Sequence, residues 1–275
     1  MEANQTVGNG FFTAPNRYVS GVLTRELSPS FADHWTQPRI VWNSLSPAEQ
    51  QITVNALRFE TAHITSLTIR QNFINQINRI DHDLAVRVAE VLVDVTLPAP
   101  DTTYYNDNKT SYLSIFNNSL PTIQGLNFGI LASAYSNESM TNAATLSKQF
   151  ADLGLFVNIV AEYLAPRVNL TYSEADAIDF DGILVTPGTD TIFVNGKSPL
   201  YPLDRPLQIV QNGYYFGKPV GALGTGSIAF QMAGIMETPG VYLSNSSATI
   251  LSDFEAGLKQ FKFLDRFPLD PPMAN

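Results

Sequence analysis

Lys218–Met232 reads KPVGALGTGSIAFQM, and this stretch decides how the second half of the chain is interpreted. Val220–Leu223 is a short apolar strand, Gly224-Thr225-Gly226 a glycine-rich turn, and the residues after it begin a helix. In open α/β sheets a turn of this kind, at the carboxyl end of a strand, is where a phosphate or a nucleophile is held.

Outward from that turn the same alternation repeats. LNFGILA (126–132), LFVNIVA (155–161), GILVT (182–186) and GVYL (240–243) read as further strands. Between the first two, Met140, Ala144, Ser147 and Ala151 fall at helical spacing, and a helix is expected within 203–216 and over 227–235. A closing amphipathic helix over 249–264 places Ile250, Phe254, Leu258 and Phe261 in register. Apolar, β-branched strands alternating with helices predict a mostly parallel sheet covered on both faces. The expected fold class is therefore α/β, a doubly wound domain over 123–275, and the resemblance described below implies that it is flavodoxin-like.

The first half is of another kind. Residues 1–45 mix Gly, Pro and aromatics without a sustained period, which predicts an extended arm that must bury Phe11, Phe12, Trp35 and Trp42 against something. Over 46–97 a small all-α region is expected. Ser46-Pro47-Ala48-Glu49 is a capping box with Pro at the first helical position. Ile52, Ala56 and Phe59 then form one stripe, and Ile69, Phe73, Ile77 and Ile80 a second. A third helix opens at Asp81 and presents Leu84, Val88, Val91 and Leu92. Residues 98–122 are rich in Pro, Asn, Asp, Ser and Thr and read as a linker between domains.

Composition narrows the function. The chain has 275 residues, a net charge of −9 and 44% hydrophobic residues. An acidic chain lacks the basic surface that nucleic acid or an anionic membrane requires, and no run reaches the roughly 18 apolar residues of a membrane span. Cysteine is absent, which excludes disulfides, thiolate metal sites and cysteine nucleophiles. His34, His63 and His82 are too scattered for a histidine metal site, and solvated or capping roles are expected for His63 and His82. Sequons at Asn4, Asn108, Asn117, Asn137, Asn169 and Asn245 fit a secreted or cell-wall protein, and a cytosolic location fits the chain equally. Met1-Glu2-Ala3-Asn4 is polar and begins abruptly, in the manner of a piece of a longer protein.

Three chemistries compete for the glycine turn. G-T-G-S-I-A (224–229) satisfies the text of a dinucleotide fingerprint, but it follows a late strand rather than the first, and Leu243-Ser244-Asn245 stands where an acid should follow the next strand. A flavodoxin-like phosphate or flavin site would instead follow the first strand at Ser133–Glu138, where Glu138 would repel the phosphate. The third reading is a nucleophile elbow. Asp181–Gly188 (DGILVTPG) followed by KPVGALGTG resembles the class I glutamine amidotransferase-like superfamily, which includes the Parkinsonism-associated deglycase and related heat-shock chaperones. That resemblance implies a reactive Cys at the elbow and a Glu after the first strand. Here Gly224 stands at the Cys position, Thr225 beside it has a hydroxyl but no histidine in its domain, Thr189 replaces a family glycine, and Glu138 is the match for the acid. A nucleophile needs a base or a depressed pKa. Gly224, Thr225 and Glu138 are thus expected to be vestigial, with no catalytic, cofactor or metal residue in the chain.

The order of the parts carries a closer resemblance. WNSLSPAEQQITVNALRFE (42–60) and IDHDLAVRVAEVL (80–92), then the linker and a cysteine-free α/β domain, resemble the C-terminal portion of fungal large-subunit catalases. The resemblance implies a non-catalytic module that packs on the catalase haem domain and sister subunits in a homo-oligomer, with haem confined to the parent enzyme. The family's haem-ligating R-x-F-x-Y-x-D-T segment does not occur in this chain. A second expectation is ATP-independent holdase activity toward unfolded client proteins; flavin or nucleotide binding by the α/β domain is the alternative.

Overall fold

The computed structural model describes residues 15–22, 25–100, 108–194 and 198–271; Phe11, Phe12 and Asn4 lie outside them. The chain divides into two units, 1–34 and 35–275. In the first, the described residues have no regular secondary structure apart from a 3-10 turn, Pro29–Ala32, and Tyr18, Val19, Val22, Leu27 and Phe31 are exposed.

The second unit opens with α1 (Thr36–Ser44), inside the stretch expected to be extended. Pro38 reads as a breaker, but it stands in the first turn, where a backbone N–H has no intrahelical acceptor to lose. Helix α1 buries Trp42, one of the aromatics for which the sequence demanded cover.

Three helices pack with it: α2 (Pro47–Ala62), α3 (Leu67–Ile77) and α4 (His82–Ala89). The capping box forms as expected: Ser46 Oγ accepts from Glu49 N, and Glu49 Oε2 from Ser46 N at 2.8 Å. Asp81 caps α4 by accepting from Leu84 N at 3.0 Å. The core holds Trp42, Val54, Ile74, Ile77, Leu84, Ala85, Val88 and Leu92. The expected α2 stripe faces outward instead, with Ile52 and Phe59 exposed and Val54 inside. Ile69 on α3 and Val91 after α4 are exposed as well.

The α/β part contains β1 (Asn127–Leu131), α5 (Asn137–Asp152), β2 (Phe156–Ala161), β3 (Leu170–Thr171), β4 (Gly182–Val185), α6 (Asp190–Val194), α7 (Arg205–Tyr215), β5 (Val220–Leu223), α8 (Ile228–Ala233), β6 (Val241–Ser244) and α9 (Ser247–Gln260). Its six strands run in the order β3-β2-β1-β4-β5-β6, and every pairing is parallel. This is the flavodoxin-like arrangement with a two-residue edge strand added. Alternate residues feed two cores: Ile183 and Val185 enter the layer with Phe180, Ile209 and Phe230, while Leu184 enters the layer with Phe128, Phe150 and Phe254.

Two helix registers differ from expectation. In α5 the buried positions are Ser139, Ala143, Leu146 and Phe150, one residue before the predicted stripe, because the larger side chains take the core and Ser139 is held by hydrogen bonds. In α9, Ile250, Phe254 and Leu258 are buried as predicted, but Phe261 ends the helix with φ +70.

Residues 108–122 lie along the helices. Ile115 N donates to Glu49 Oε1 at 2.8 Å, Ser111 N to Ser44 Oγ at 2.7 Å, and Leu120 N to the Lys259 carbonyl at 2.7 Å.

Candidate functional site

The candidate site is the crevice at the carboxyl ends of β1, β4 and β5. Strand β1 is the switch point, since the chain leaves it toward β2 on one side and finds β4 on the other.

At the end of β5 the chain turns through Gly224, φ +55, into a 3-10 turn (Gly224–Ser227) and then α8. This is the strand–turn–helix geometry of an elbow, in a backbone region that L side chains occupy only under strain. Space for a side chain is nonetheless present. A Cβ on Gly224 would sit 3.4 Å from Pro187 Cγ and 4.0 Å from Asn245 Oδ1. Gly226 is different: a Cβ there would lie 2.7 Å from the carbonyl oxygens of Val185 and Thr186, so this glycine lets the turn close on β4.

Thr225 is exposed, and its Oγ1 accepts from Gly188 N at 3.1 Å. Neither His63 nor His82 is in this domain. His63 Nδ1 lies 2.8 Å from the Phe59 carbonyl and His82 Nδ1 2.7 Å from Asn78 Oδ1, both within the helical layer. Glu138 stands in the first turn of α5, exposed, and its carboxylate makes no hydrogen bond among the described residues.

The carboxylate at the crevice is Glu162, one residue past β2 and 3% exposed. Its Oε1 accepts from Ser133 Oγ at 2.6 Å and its Oε2 from Ala134 N at 2.6 Å. The sequence signal for it is an acid directly after an apolar strand run, FVNIVA-E. Beside it, Tyr172 OH donates to the Ala132 carbonyl at 2.8 Å. Burial first, then the Glu162 charge, pushes the Tyr172 phenol well above its ordinary pKa.

Hydroxyl groups fill the rest. Thr186 Oγ1 donates to the Leu131 carbonyl at 3.0 Å, which leaves it to accept from Ser139 Oγ at 2.7 Å. Ser139 Oγ in turn accepts from Ser133 N at 2.8 Å, and Thr189 Oγ1 donates to the Thr186 carbonyl at 2.8 Å. Four amides after β1 are committed: Ser133 N to Ser139 Oγ, Ala134 N to Glu162, Ser136 N to the Ser133 carbonyl, and Ser139 N to Ser136 Oγ. Among the described residues, no group of three or more His, Cys, Asp or Glu is placed to hold a metal. The arrangement ties the loops after β1, β2 and β4 together.

Comparison with known proteins shows the family. Residues 124–268 match the family described as the C-terminal domain found in long catalases, and residues 28–92 the family described as catalase-related immune-responsive. Catalase-3 of Neurospora crassa is 47% identical over 272 residues, covering 98% of this chain and 37% of its own length. Catalase B of Emericella nidulans is 47% identical over 276 residues, with 98% and 38% covered. Catalase HPII of Pseudomonas aeruginosa is similar at 27% over 268 residues, with 94% and 37% covered. The chain spans well under half the length of these relatives.

Proposed function

The chain belongs to the family of the C-terminal domain found in long catalases, and from that premise we propose that it is a non-catalytic module of a haem catalase, stabilising the parent enzyme that decomposes hydrogen peroxide. The observation that carries this reading is the elbow. Its strained turn and its open space are kept, yet Gly224 has no side chain and Thr225 is engaged by Gly188.

Haem is taken as the cofactor of the parent, and three side chains of the kinds that ligate haem iron are engaged otherwise here. Tyr172 is fully buried against Ala132, and His63 and His82 are bonded within the helical layer. The proposed partners are the catalase haem domain and sister subunits of a homo-oligomer. Exposed apolar residues on the helical layer favour such packing: Phe59, Leu67, Ile69 and Val93 are 65%, 50%, 56% and 93% exposed. Deleting the corresponding residues from a full-length fungal catalase is expected to lower its thermal and denaturant midpoints while leaving the haem absorbance intact. An unchanged midpoint would remove the stabilising role, and rapid oxygen release from peroxide by the present chain alone would remove the non-catalytic one.

A holdase activity toward unfolded proteins is a second reading, favoured by Tyr18, Val19 and Val22, which are 94%, 84% and 90% exposed. Light scattering of a heated client, with this chain against albumin at equal mass, tests it. Suppression no greater than albumin's rejects it.

A further inference from the structure

A groove of about 780 Å3 runs between α5 and the β2–β3 edge of the sheet, and it shares no residue with the crevice. Its floor is Val157 and Ile159, and its walls carry Lys148, Gln149, Arg167 and Asn169. Four features of these residues point the same way.

Lys148 and Arg167 have no hydrogen-bond or ion-pair partner among the described residues, in a chain whose net charge is −9. Asn169 is pinned by its own strand edge: Oδ1 accepts from Ile159 N at 2.9 Å and the Asn169 N–H donates to the Ile159 carbonyl at 2.9 Å, so its amide NH2 remains as a donor. Gln149 Oε1 is buried at the groove and has no partner, an arrangement that native proteins seldom leave uncompensated. Arg167 has φ +79 in the turn closed by Val168 N donating to the Ala165 carbonyl at 2.9 Å. With Pro166 before it, this is the position where a type II turn favours glycine. A long cationic side chain here is held against backbone preference, which calls for a reason in function.

We propose that this groove binds a small organic phosphate. The dianion lies between the Lys148 ammonium and the Arg167 guanidinium, with the Asn169 NH2 as a third donor. Gln149 Oε1, buried in the ligand-free fold, turns toward the groove to accept from a donor on the ligand body, and a flat apolar face rests on Val157 and Ile159. Asp152, one helical turn beyond Lys148, also lines the groove. The volume suits a ligand of nucleoside monophosphate size.

The test is isothermal titration of the full chain with adenosine monophosphate, adenosine and inorganic phosphate. Adenosine monophosphate is expected to bind at least about tenfold more tightly than either fragment. Arg167→Gly relieves the turn, so it should keep or raise the thermal midpoint while weakening binding by about tenfold or more. Gln149→Leu should weaken adenosine monophosphate and leave inorganic phosphate unchanged. Equal binding of adenosine and its monophosphate, equal binding of phosphate and the monophosphate, wild-type affinity in Arg167→Gly, or no binding of any probe would each overturn the proposal.

Discussion

Asp270 and Arg58 meet as a bidentate pair across 212 residues of sequence: Arg58 Nη1 donates to Oδ1 at 3.0 Å and Nη2 to Oδ2 at 2.8 Å. Arg58 is on α2, and Asp270 is on the tail that leaves α9, so one contact fastens the α/β domain to the helical layer. Gln51 Oε1 accepts both from Asp270 N at 2.8 Å and from Arg87 Nη2 at 2.6 Å, and Glu90 adds a second carboxylate to Arg58 at 2.6 Å.

Asp270→Asn is expected to lower stability at neutral pH by about 1–2 kcal/mol, since both partners are largely buried and the lost bonds are charge-assisted. Hydrogen bonding to Arg58 holds the Asp270 pKa below its ordinary 3.8. A carboxylate with a lowered folded-state pKa contributes stability that is present above 3.8 and lost as pH falls through the folded value. Urea midpoints of the two proteins should therefore differ at pH 7 and converge below that range. A constant gap across pH would assign the effect to packing.

Gly224→Cys should fold, with a cost of about 1–2 kcal/mol for the left-handed turn. The chain has no other cysteine, so one thiol should label per molecule, at the rate of an ordinary free thiol because no base adjoins it. Gly226→Cys should be worse, about 3 kcal/mol or more, since its Cβ meets two backbone oxygens at 2.7 Å. Equal midpoints for the two variants would contradict the elbow geometry.

Glu162→Ala should cost about 2–4 kcal/mol, because Ser133 Oγ and Ala134 N lose their acceptor in a buried site. Glu162→Gln retains one acceptor oxygen and should cost less. Glu138→Ala, on the exposed first turn of α5, should fall within about 0.5 kcal/mol of the wild type. Chemical denaturation of the three variants ranks them directly.

Lys218→Ala is expected to destabilise by about 2–4 kcal/mol. Lys218 is 7% exposed, and its ammonium donates to the Ala177 carbonyl at 2.6 Å and to that of Phe180. Truncation leaves both carbonyls unpaired. A thermal midpoint unchanged from wild type would show that water replaces the amine without loss.

The strands were legible because each is an apolar run bounded by Gly or Pro, and the capping box located the start of α2 through its own hydrogen bonds. Register within helices was not. Met140/Ala144/Ser147/Ala151 and Ser139/Ala143/Leu146/Phe150 are equally periodic, and what selects the second is the burial of Leu146 and Phe150 together with the partner that Ser139 finds in Thr186, 47 residues away. Strand β3 is only two residues long, too short to show a period, and α1 was hidden by a proline that costs nothing in a first turn. At the crevice, Gly224 and Thr225 are identifiable from the glycine pattern alone. Glu162 is not, since its role depends on β1 and β2 lying side by side.

Glycine at the elbow also fixes how the domain meets an oxidant. Peroxide converts accessible thiolates to sulfenic and higher acids, and the elbow is a place where a thiol could stand. With Gly224 in that place and no cysteine anywhere in the chain, no such step exists. The sulfur that remains is in methionines, and two of them, Met232 and Met236, are 45% and 78% exposed at the end of α8, where sulfoxide formation would leave both sheet cores untouched. Cysteine therefore gives this chain no redox state of its own.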